Sequence, residues 1–114
     1  NPDLYNREIL MTKADLKKER GYYNTFLYGS PKEKIAALDW LQNCRSWDAK
    51  RWVQGLLFDN SPAVRERAAR FIAETDYLPF LSDLEAACRV ERDAQTKQSM
   101  MRHLEHLKAL LPHK

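Results

Sequence analysis

Helix-start signals recur at a nearly fixed interval along this chain. Ser30-Pro31-Lys32-Glu33 combines a hydroxyl cap, a proline in the first turn and a glutamate three residues after the cap. The serine can accept from a first-turn amide, and the proline lacks the amide that would go unpaired there. The glutamate can reach back to the cap amide. Ser61-Pro62 repeats the first two elements 31 residues later, and Asp93 offers a third cap after a further 32. The register extends into the apolar positions. Ala37, Leu38 and Leu41 fall on Ala68, Ala69 and Ile72, and these fall on Met100, Met101 and Leu104. A period of this size means stacked helical hairpins, because one hairpin cannot bury its apolar stripe alone.

Apolar spacing between the starts is helical throughout, as in Ala49, Trp52, Val53, Leu56 and Leu57, or Leu81, Leu84 and Cys88. Sustained period-two alternation is absent, and only three glycines occur in 114 residues, which argues against a turn-dense β fold. Ser46 is a further cap candidate, and Leu78-Pro79 marks another start. Helices are expected near 31–44, 47–58, 62–75, 79–91 and 94–111, giving an all-α fold. Residues 1–29, with the aromatic cluster Tyr22, Tyr23, Phe26, Leu27 and Tyr28, read as an N-terminal helical cap over the first exposed face, an aromatic recognition surface being the alternative. The repeats then span 30–60, 61–92 and a partial 93–111, with 112–114 as a tail.

The segment Asp59-Asn60-Ser61-Pro62-Ala63-Val64-Arg65-Glu66-Arg67-Ala68-Ala69-Arg70-Phe71-Ile72 resembles the first helix of a HEAT-like repeat, in the short variety found in phycobilin lyases. The shared pattern is a polar turn, proline, valine-arginine, a small pair and a large aliphatic. The likeness is good for this repeat, moderate at 93–104 and weak at 30–41, where Glu33-Lys34 replaces valine-arginine. It implies a short right-handed α-α superhelix of HEAT-like helical hairpins, an armadillo-like α-solenoid. It also implies that Arg65 joins a ladder with the turn aspartates Asp59 and Asp93. In such stacks the second helix of each pair lines the concave face.

Charge and chemistry narrow the function. The net charge is +3 and divides as +1 over each of 1–29, 30–60 and 61–114, so no basic arm or acidic tail exists. Cys44 and Cys88 are too few for a disulfide framework and read as buried thiols, a Cys44–Cys88 disulfide being the lesser alternative. HEAT-like hydroxylases use His-Glu dipeptides as iron ligands, and none occurs here. His103 and His106 share a helix face but have only Glu105 and His113 near them in sequence, too few for a metal site, and read as solvated side chains. No nucleophile elbow or phosphate loop appears. The chain is therefore expected to be non-catalytic and without a cofactor or metal, a bilin-lyase-like activity being a remote alternative from the resemblance. No apolar run reaches membrane-span length. The first residue is Asn1, compatible with a processed N-terminus, and the compartment is left open with the cytoplasm favoured.

The leading expectation is a scaffold that binds a protein or peptide through the concave face. Its candidate residues are Lys50, Arg51, Gln54, Asp83, Glu85 and Arg89, with Trp47 and Phe58 as aromatic anchors. The alternative is nucleic-acid binding through Lys50, Arg51, Arg89 and Arg92, offset by Asp83, Glu85 and Glu91. Leu110 and Leu111 at the end of the last helix suggest a homodimer edge.

Overall fold

The computed structural model describes residues 23–43 and 49–112. Every regular element among them is helical, so the fold is all-α. A helical segment over 23–28 precedes α1 (Pro31–Gln42), α2 (Ala49–Leu56), α3 (Pro62–Glu74), a 3₁₀ turn (Leu78–Phe80), α4 (Leu81–Val90) and α5 (Ala94–Lys108). The expectations for Cys44, Ser46 and Trp47 fall outside the described residues.

The caps sit where the sequence placed them. Ser30 closes a full capping box: its hydroxyl accepts from the Glu33 amide (3.2 Å), and its own amide donates to Glu33 Oε1 (2.9 Å). Ser61 accepts from the Val64 amide at 3.5 Å, a long bond, and Asp93 from the Thr96 amide at 2.9 Å. Just before the first cap, Gly29 donates to the Thr25 carbonyl at 2.7 Å. A Cβ at position 29 would stand 2.5 Å from that oxygen, so the close approach requires glycine.

Each helix ends one to three residues before its expected bound, and two boundaries differ in kind. Leu78-Pro79 opens a 3₁₀ turn rather than an α-helix, and α4 proper starts at Leu81. The last helix stops at Lys108. Beyond it, the Leu110 and Leu111 amides reach back only three residues, to Leu107 and Lys108.

Helices α1, α3 and α5 lie side by side. Helix α3 packs most extensively on α5 and next on α1, while α2 packs on α3 and α4 on α5. The three run parallel, because their cross-links advance together. Asp39 meets Arg67 and Gln42 meets Glu74; then Glu66 meets His103 and Asp76 meets His106. Ala37, Leu38, Leu41, Ala68, Ala69, Ile72, Met100 and Leu104 are all buried, so these aligned positions face the core in each of the three helices. Ala68 and Ala69 supply the small surface on α3 that allows close approach. Met101, in register with Leu38 and Ala69, is 39% exposed.

The described part of the N-terminal segment covers and exposes at once. Phe26 is buried and, with Tyr23, packs on the Trp52 ring at 5.6 and 5.3 Å between centroids. Leu27 and Tyr28 face solvent. Cys88 is a free, buried thiol, and burial pushes its pKa up.

Candidate interaction surface

The turns at the N-terminal ends of α3 and α5 are fixed by two equivalent ion pairs. Lys34, in the first turns of α1, donates to Asp59 Oδ1 at 2.6 Å, and Asp59 Oδ2 accepts from the Ser61 amide at 3.0 Å. One repeat on, Arg65 clasps Glu91 with two bonds, Nε to Oε2 (2.6 Å) and Nη2 to Oε1 (2.7 Å). Glu91 Oε1 also accepts from the Asp93 amide at 3.1 Å. Lys34 and Arg65 share a register position, as do Asp59 and Glu91.

Arg65 departs from the ladder expected of it. It takes the carbonyls of Asp59 (2.8 Å) and Asn60 (3.2 Å) rather than the Asp59 carboxylate, and Glu91 rather than Asp93. The reason is spatial: the Asp59 carboxylate is already held by Lys34, and Asp93 is turned onto Thr96 as a cap. The Glu91 side chain is 1% exposed. Its carboxyl is held below the ordinary carboxylate range, chiefly by the Arg65 bonds, with burial opposing and the Asp93 amide assisting. Arg65 is correspondingly held more strongly protonated.

The six residues expected on the second helices do not act as one set. Gln54 of α2 donates to Asp83 of α4 at 3.0 Å, so these two come together by binding each other. Glu85 faces the opposite flank of α4 and approaches Lys108 of α5 at 3.9 Å. Arg51 and Arg89 are exposed. The side chains of Lys50 and Trp47 lie outside the described set. Phe58 is 52% exposed, just past α2.

Phe58 has two equivalents, Leu27 of the N-terminal cluster and Val90, the latter not singled out by composition or spacing. Phe58 stands three residues before the Ser61 cap. Val90, 63% exposed, stands three before Asp93, and Leu27, 55% exposed, stands three before Ser30. The signal was present, since all three share the 31–32-residue register of the caps. Phe58 and Val90 line one cleft of about 290 Å³, together with Leu57, Ala87 and the exposed Arg92, over the Arg65–Glu91 pair.

A second, open groove of about 500 Å³ crosses α1, α3 and α5 and includes Glu66, Arg67, Arg70 and Thr96. Of its polar groups, Glu66 and Arg67 are committed to cross-links between helices. Arg67, 5% exposed, donates to Asp39 (2.8 Å) and Gln42 (2.6 Å), although its Nη1 finds no partner. His103 and His106 are cross-links too, each with Nε2 3.0 Å from a carboxylate oxygen of α3's side, Glu66 and Asp76. Asp76 adopts φ 52°, the left-handed conformation that Asp tolerates better than most residues. Among the described residues no group of three or more His, Cys, Asp or Glu could hold a metal ion, and no helix is long and apolar enough to cross a membrane. Comparisons with family models, curated proteins and solved structures return no match.

Proposed function

We propose that this chain is a non-catalytic protein-interaction module, built as a short HEAT-like stack of helical hairpins, that binds a protein or peptide partner. The observation that supports this reading is the pair Phe58 and Val90, large apolar side chains more than half exposed on turns pinned by Arg65 and Glu91. Solvent-facing apolar groups on a fixed scaffold are the usual material of a recognition surface. Arg51 and Arg89 extend the surface along α2 and α4 as exposed, charged flanks. The concave-face expectation is thereby shifted toward the turn edge, since Gln54, Asp83 and Glu85 are engaged within the fold.

The test is capture from nuclease-treated extract of the native host by the wild-type chain and by Phe58→Ser. A protein retained by the first and lost by the second, with an unchanged unfolding midpoint, is the expected result. Retention indifferent to Phe58 overturns the proposal. So does retention of labelled nucleic acid at low salt and its release at high salt, which is the alternative expected from the basic residues. Self-association through the exposed Met101, Leu110 and Leu111 of the α5 end is checked in parallel by light scattering.

A further inference from the structure

We infer that the edge carrying Leu27, Phe58 and Val90 takes an extended acidic peptide with an apolar side chain at every third position. This deepens the interaction reading above and rests on it. The three residues hold the same place, three before a helix cap, in successive units whose first helices are parallel and in contact. Packed helices lie roughly 8–10 Å apart, so the edge offers one apolar side chain about every helix diameter. A polyproline II strand advances about 3.1 Å per residue and returns to the same face every three residues, a repeat of roughly 9 Å.

An α-helical ligand returns to one face at a comparable distance only after seven residues, and its diameter is roughly 10–12 Å with side chains. The cleft between Phe58 and Val90, about 290 Å³, suits one inserted side chain and not a helix. Charge selects the remaining positions. Of the acids of the edge, Asp59 and Glu91 are neutralised by Lys34 and Arg65, while the exposed Asp93 caps Thr96 and has no ion-pair partner among the described residues. Arg89 and Arg92 are exposed and enter no ion pair among the described residues. Arg89 and Arg92 against Asp93 leave an excess of one positive charge, so acidic residues between the apolar ones are favoured.

Three fluorescein-labelled synthetic peptides test this against the full chain by anisotropy. The first carries leucine at every third position with glutamate and proline between. The second has the same composition with the leucines contiguous. The third keeps the leucine register and replaces glutamate by lysine. Expected is binding of the first about tenfold tighter than either control, weakened about tenfold by Phe58→Ser and less by Val90→Ser. Both variants should keep the wild-type urea midpoint, since both side chains are exposed. Equal binding of the first two peptides, indifference to both substitutions, or no binding at millimolar concentration overturns the inference. If those results coincide with a captured protein that still depends on Phe58, the interaction reading stands and the extended-peptide ligand falls.

Discussion

Lys34 and Arg65 occupy the same position of successive helices, and each grips the carboxylate that lies two residues before the next cap. Lysine makes one point contact, and its Asp59 partner keeps 10% side-chain exposure. Arginine makes a fork onto a carboxylate that is 1% exposed and adds two turn carbonyls. The caps are weighted the other way. Ser30 has a complete box, whereas Ser61 has a single bond at 3.5 Å. The first unit is therefore secured mainly through its helix start and the second through its ion pair. A planar guanidinium can satisfy several acceptors at fixed angles, which an ammonium cannot do with equal economy of ordering.

The largest effect should come from Arg65→Ala, which leaves Glu91 buried without its cation and the carbonyls of Asp59 and Asn60 without a donor. A loss of about 3–5 kcal/mol is expected in urea unfolding. Lys34→Ala should cost less, about 1–2 kcal/mol, because water can reach Asp59. Equal losses would break the comparison.

Arg65→Lys converts the second grip into the first kind. It should cost about 1–2 kcal/mol, while Lys34→Arg should be close to neutral in the same measurement.

Acidity separates the pairs next. The Glu91 carboxyl has a folded pKa below its unfolded value, so its stabilisation is present above the unfolded carboxylate range and is lost as pH falls through the folded value. Wild-type urea midpoints should therefore decline on acidification below about pH 5. Glu91→Gln should start lower at neutral pH and decline less steeply over that interval. An unchanged slope would remove Glu91 as the source.

The smallest effects belong to the caps. Ser30→Ala should cost about 1 kcal/mol and Ser61→Ala about 0.5 kcal/mol in thermal or urea unfolding. The reverse order would contradict the geometry of the two bonds.

What could be read from the sequence follows the range of the interaction. Ser30, Ser61 and Asp93 were legible because a cap is decided within four residues. The buried register of Ala37, Ala68 and Met100 was legible because stacking repeats it. The partner of Arg65 was not, because Glu91 is 26 residues away and the choice between it and Asp93 depends on which carboxylate is already engaged. The histidines were read as solvated, which fits His106 at 55% exposure but not His103, and their bonds to Glu66 and Asp76 depend on how α5 seats on α3. Phe58 was legible as an exposed aromatic at a helix end. Leu27 was legible only as a member of the N-terminal cluster, and Val90 not at all, since an aliphatic residue beside a helix is ordinarily core, and only the cap register sets it apart.

In both pairs the carboxylate that meets the cation also accepts from the backbone of the next cap, Ser61 at 3.0 Å and Asp93 at 3.1 Å. Detaching the start of α3 or α5 therefore disturbs the ion pair made by the helix packed beside it, α1 or α3. Neighbouring helices are coupled through a junction that would otherwise be the first place to fray. The Ser61 and Asp93 amides, although they lie in turns, should exchange with solvent only when the adjoining helices open together.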